Sequence, residues 1–192
     1  MKLGSASVLV AVCLSMAALA QASTLTGSQV TLTGDYPTLG TALTNSVTET
    51  VPATFTTSEF TVPPDFFLFG FNTTVGADTI DISFNGDPGG TVTTTSFDGY
   101  LFAFTGAPTI TGVSLDPSST FTSSQVGLGF TADEVSVNLE GQTVSDGSYV
   151  QVDVSLAPST SEVPEPQSYA FILAGLGVIG IVKLRKAKSR AS

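Results

Sequence analysis

The six Lys and Arg residues of this 192-residue chain lie at Lys2 or from Lys183 onward, and it contains no His. All sixteen Asp and Glu fall between Asp35 and Glu165. The long middle of the chain is therefore negative throughout, with no positive side chain to answer it. It cannot form a single internal side-chain salt bridge, so its fold must rest on apolar burial and hydrogen bonds. Self-repulsion favours solubility and opposes association at low salt. Phosphate contacts need Lys or Arg, which argues against nucleic acid and against anionic membrane surfaces as partners of this region.

Residues 23–157 are long enough for one domain with a core of its own. Close to a third of them are Ser or Thr, with abundant Val, Phe and Gly, a composition that suits strands and turns. Alternation supports strands. Ile80, Ile82 and Phe84 alternate with Asp81 and Ser83; Val135, Val137 and Leu139 with Ser136 and Asn138; Val150, Val152, Val154 and Leu156 with Gln151, Asp153 and Ser155. Each run puts one face inward and one toward water. Further strands are expected over Thr54 to Val62, Phe66 to Val75, Thr91 to Thr95, Tyr100 to Phe104 and Thr109 to Leu115. Turn signals separate them at Asn85 to Gly90, Asp98-Gly99, Asp116-Pro117 and Asp146-Gly147. The expected fold is all-β, an antiparallel β-sandwich or jelly-roll-like domain of about eight or nine strands.

The two ends read differently. Lys2 followed by an apolar run from Val8 to Leu19 has the form of a secretory signal peptide, residues 1–22. Ala20 and Ala22 place small residues for signal peptidase, with cleavage expected after Ala22. Cys13 would leave with that peptide, and the mature chain would have no disulfide and no thiolate. Residues 158–163 form a Pro/Ser/Thr/Glu linker with no periodicity, expected to be exposed. Fourteen apolar residues follow from Tyr169 to Val182, rising about 21 Å as a helix against a hydrocarbon core of roughly 30 Å. Leu184 extends that surface, and Lys183 and Arg185 can snorkel, giving a short transmembrane helix over about 168–184. The basic stop of Lys183, Arg185, Lys186, Lys188 and Arg190 marks the cytoplasmic side. Gly175, Gly177 and Gly180 either let another membrane helix approach closely or are simply ordinary in such a segment.

Taken in order, Val163-Pro164-Glu165-Pro166, then Leu173-Ala174-Gly175-Leu176-Gly177, then the Lys/Arg cluster resembles the PEP-CTERM protein-sorting signal of Gram-negative bacteria, here residues 164–192. The basic end departs from the pattern in being spread out, not a tight arginine run. The resemblance implies export and an inner-membrane-anchored intermediate. It also implies processing near Pro164-Glu165-Pro166 by an exosortase, and association with the cell surface and exopolysaccharide. On that reading the chain is a substrate, and the catalytic residues belong to its partner.

The middle offers little chemistry of its own. A serine nucleophile would have no His or Lys as base, a phosphate site no cationic clamp, and zinc none of its usual ligands. A carboxylate pair of the glycosidase kind is what remains; the expectation is that the chain is not an enzyme. Asp81-Ile82-Ser83-Phe84-Asn85-Gly86 opens like an EF-hand loop, yet its twelfth position is Val92 and Ile82 and Phe84 look like strand core. Asp78, Asp81 and Asp87 stay as weak candidates for a looser Ca²⁺ site. Without Trp, a sugar platform would need Tyr36, Tyr100, Tyr149 or the cluster Phe66, Phe67, Phe69 and Phe71, whose alternate members are expected in the core. The function expected is that of a non-catalytic surface or extracellular-matrix protein with a structural or adhesive role in a biofilm. The alternative is a carbohydrate- or calcium-dependent binding module.

Overall fold

A computed structural model of the chain describes residues 23–64, 70–85 and 89–158. Several expectations fall outside that set: the signal peptide with Ala20 and Ala22, the strand residues Phe66 to Phe69, Asp87, and the end from 159, with its sorting motif, membrane helix and basic tail. Ala22–Ser159 forms one compact unit. Among the described residues there is no α-helix, only one 3-10 turn at Thr57–Glu59, and no helix long and apolar enough to cross a membrane.

The strands are β1 Gln29–Asp35, β2 Val47–Thr50, β3 Ala53–Thr56, β4 Asn72–Val75, β5 Thr79–Phe84 and β6 Gly90–Thr91. They continue as β7 Gly99–Thr105, β8 Ile110–Leu115, β9 Gly127–Phe130, β10 Glu134–Asn138, β11 Thr143–Val144 and β12 Ser148–Leu156. Two five-stranded sheets, ordered β2-β1-β7-β10-β9 and β3-β4-β5-β12-β8, share one apolar core, and every pairing is antiparallel. This is a β-sandwich. The pair β6–β11 forms a small third sheet. Hence β5, β6 and β7 pair antiparallel with β12, β11 and β10 in turn, each pair in a different sheet, so this ribbon of strand pairs links one sheet to the other.

Alternation places the core. Ile80, Ile82 and Phe84 of β5, Val135 and Val137 of β10, and Val150, Val152 and Val154 of β12 are buried, as the sequence pattern predicts. Phe55, Phe84 and Phe102 are the largest fully buried side chains. Each such side chain contributes roughly 1.5–3 kcal/mol by leaving water, which matters in a domain without ion pairs.

Some expectations are corrected. There are twelve strands among the described residues, not eight or nine. The run Thr54 to Val62 stops at Thr56, because the Glu59 carboxylate turns back to accept the Thr56 N–H. The strand over Thr91 to Thr95 shrinks to Gly90–Thr91. Gly99 is not in a turn but opens β7, where a Cβ would sit 2.0 Å from the Val137 carbonyl oxygen. Asp146-Gly147 is a turn as expected, with Gly147 at φ +81°, a conformation that favours glycine.

The connections are sorted by pole. The start of β5, the end of β12 and the start of β8 lie at one end of their sheet, as the registers Thr79↔Asp153 and Ile110↔Leu156 show. The short links Val51-Pro52, Gly76–Asp78, Gly106–Thr109 and Thr131–Asp133 all belong to this end. The longer connections, from β1 to β2, β3 to β4 and β8 to β9, belong to the other.

Candidate functional site

The last strand delivers the chain to its C-terminal segment. β12 is an inner strand, paired with β5 on one side and β8 on the other. Beyond it the Ala157 N–H donates to the Thr109 carbonyl at 2.8 Å, and the Ser23 hydroxyl donates to the Ala157 carbonyl. The N-terminal side is fixed as well: Leu25 is fully buried, and its N–H donates to the Ala77 carbonyl at 2.7 Å. A protease needs extended, unpaired backbone, and a ladder strand withholds it. On the C-terminal side, release of the folded domain therefore calls for a processing site beyond Ala157.

The outer face of the β5–β12 pair carries most of the local charge. Tyr149, Gln151 and Asp153 of β12 point away from the core, as do Thr79, Asp81 and Ser83 of β5, with Gln151 opposite Asp81. The Tyr149 hydroxyl donates to Asp81 Oδ1 at 2.6 Å and approaches Gln151 Oε1 at 3.2 Å. Loss of solvent, that hydrogen bond and the charges of Asp81 and Asp116 push the Tyr149 phenol up to about 12. Partial burial, then the neighbouring charges of Asp116, Asp78 and Asp81, raises the carboxyl of Asp153. Asp116 goes the other way, held below the usual carboxylate range by the hydroxyl and N–H of Ser118.

Of the weak cation candidates, then, Asp81 is engaged by Tyr149, Asp78 precedes β5, and Asp87 lies outside the described residues. Ile82 and Phe84, the second and fourth residues of the EF-hand-like hexapeptide, are in the core at 0% and 1% exposure. Among the described residues no group of three or more acidic side chains is arranged to hold a metal ion.

Two further carboxylates are raised by burial. Asp35, 2% exposed, accepts the Gly40 N–H at 2.6 Å, which partly opposes the shift. Asp98 accepts the Thr93 N–H at 3.2 Å with the same effect. Both shape loops: Asp35 closes the turn after β1, and Asp98 ties the approach to β7 to Asn138, whose Oδ1 accepts the Asp98 N–H at 3.0 Å. Sequence reasoning gave Asp35 no role and read Asp98 only as part of an Asp98-Gly99 turn signal, since burial is not written in either residue's neighbours. The aromatic platform does not form around Tyr100, which is buried and packs on Phe71 with ring centroids 5.0 Å apart.

Comparison with known families decides the C-terminal segment. A model described as the PEP-CTERM protein-sorting motif matches residues 162–187. The chain carries a PEP-CTERM sorting signal. The match takes in Val163-Pro164-Glu165-Pro166, the glycine-bearing apolar segment and the first basic residues, Lys183, Arg185 and Lys186. A PEP-CTERM signal supports an exported protein sorted by an exosortase. Neither a curated protein nor a solved structure matches the chain.

Proposed function

We propose that this protein is a non-catalytic component of the cell surface or extracellular matrix. Its sandwich is exported behind a signal peptide, held in the inner membrane by the C-terminal helix, and released by an exosortase cutting near Pro164-Glu165-Pro166. The observation that carries the reading is the PEP-CTERM match at residues 162–187, which begins a few residues after the Ala157 N–H, hydrogen-bonded into the sandwich. The chemistry of the middle supports the non-catalytic part. No His, Lys or Arg is available there as base or clamp. Several of its carboxylates are occupied as acceptors within the fold: Asp35 by Gly40, Asp81 by Tyr149, and Asp116 by Ser118. A structural or adhesive role within exopolysaccharide fits a hydroxyl-rich surface that repels its own copies.

Fractionation tests it. In a host that has an exosortase, the protein is expected in the medium or on the outer surface. Without the exosortase, or with Pro164→Ala and Glu165→Ala together, it should accumulate in the inner membrane. Equal release in all three strains would overturn the reading.

A further inference from the structure

We propose that two copies of the sandwich pair edge to edge through β9, extending one sheet into the next. An edge strand presents unpaired N–H and C=O groups, and natural sheets guard such edges with charge, proline or covering chain. Four strands end the two five-stranded sheets: β2 and β9 in one, β3 and β8 in the other. β2 is guarded by Glu49, an exposed carboxylate on the same face as the buried Val30 opposite it. β3 follows Pro52, and its last N–H, at Thr56, is taken by the Glu59 carboxylate. β8 gives its first N–H, at Ile110, to the Ala132 carbonyl at 2.8 Å. β9, Gly127-Leu128-Gly129-Phe130, carries neither charge nor proline, and β10 is its one ladder partner among the described residues. Phe130 is 49% exposed.

The residues of β9 fit a second copy of the same strand. The Thr131 N–H donates to the Glu134 carbonyl at 3.0 Å, so strand alternation turns the N–H and C=O of Leu128 and Phe130 to the open edge. About a twofold axis at Gly129, Leu128 of each copy falls opposite Phe130 of the other. Opposed residues then exchange hydrogen bonds. Their side chains, on the face of Val135 and Val137, meet as apolar cross-strand pairs. At the axis the two Gly129 backbones meet in the closer, non-hydrogen-bonded pairing, with no side chain between them. Charge selects the same edge. No Asp or Glu stands between Asp116 and Asp133, so a domain whose carboxylates repel its copies elsewhere can meet one here. The antiparallel sense also sets the Asp133–Glu134 corner of one copy beside the uncharged Val126–Gly127 end of the other. A strand of four residues makes a small interface, so the pairing is weak and grows with concentration.

Sedimentation equilibrium on Ala22–Ser159, which is a compact unit by itself, tests the pairing. In about 1 M NaCl, where the Debye length is about 3 Å, monomer and dimer should coexist, and lowering the salt should shift the mixture toward monomer. Amide exchange at Leu128 and Phe130 should slow several-fold in the dimer and stay unchanged along β2. Phe130→Pro removes an outward N–H that the β9–β10 ladder does not use, so the domain should stay folded and lose the dimer. Leu39→Lys, at the other large exposed apolar side chain among the described residues, should keep it. Monomer alone at every salt and protein concentration would overturn the proposal. So would a dimer that survives in folded Phe130→Pro, or one whose Leu128 and Phe130 amides exchange as fast as in the monomer. If Phe130→Pro fails to fold, the exchange of the unsubstituted domain decides.

Discussion

Single residues show where this fold is comfortable and where it is not. Thr73 of β4 is wholly buried between Phe55 and Ile82 in the sheet register, and its hydroxyl has no hydrogen-bond partner among the described residues. An unpaired buried hydroxyl costs roughly 1–3 kcal/mol. Thr73→Val keeps the shape and removes that group, so chemical denaturation should show stabilisation of about 1 kcal/mol; a loss of stability would mean the hydroxyl is satisfied. Gly99 gives the opposite case. Any Cβ there meets the Val137 carbonyl at 2.0 Å, a backbone atom that cannot step aside without breaking the β7–β10 pairing. Gly99→Ala should cost about 3 kcal/mol or more, read as a fall in the denaturation midpoint, and an unchanged midpoint would contradict the register.

At the scale of strands, what the sequence discloses depends on burial. β5, β10 and β12 are inner strands, and their apolar residues, turned to the core, alternate with polar ones on the opposite face. That pattern is local and can be read directly. β2 and β9 are edge strands with weak inward faces: Val47 is half-buried beside exposed Thr48, Glu49 and Thr50, and Gly127 to Phe130 has no polar alternation. Such segments are strands because a neighbour pairs with them, which their own composition does not state. The same limit hides the ribbon, since β5 meets β12 across a long stretch of intervening chain. Glu59 turning back on Thr56 is by contrast a local signal, a Thr-x-x-Glu capping box over a 3-10 turn that ends a strand which propensity alone would continue. The sorting segment is the reverse: its three elements are consecutive, so the motif at residues 162–187 is legible without any fold. Asp35 and Asp98 are visible only in three dimensions, because burial is what distinguishes them from the other carboxylates.

The whole molecule answers to one-signed charge. Asp35, Asp98 and Asp153 have folded-state pKa values raised chiefly by loss of solvent. A raised carboxyl binds its proton more readily in the folded state, so stability falls as pH rises through the window above the unfolded value of about 4. Protonation also relieves repulsion that no Lys or Arg offsets. The exported domain should therefore melt higher near pH 4.5 than at pH 7, as calorimetry would show. At pH 7, added NaCl should raise the melting temperature by screening. Asp116, lowered by Ser118, acts oppositely: its contribution is lost as pH falls through its folded value, so the gain should turn over below about pH 4. At the alkaline end, Tyr149 favours the neutral phenol when folded, and that contribution is lost as pH rises between about 10 and about 12. A domain that simply lost stability on going from pH 7 to pH 4.5 would contradict this account.

Charge also ties the domain to its tail. Five of the six positive side chains lie at or beyond Lys183, so processing near Pro166 would separate a domain with no basic side chain from the basic segment proposed to anchor it. Intact mass of the protein recovered from outside the cell tests this most directly. With the exosortase present, the mass should correspond to a chain starting at Ser23 and ending near Pro166; without it, the C-terminal segment should remain. Extracellular protein that keeps its residues through Ser192 in the presence of the exosortase would contradict the central claim.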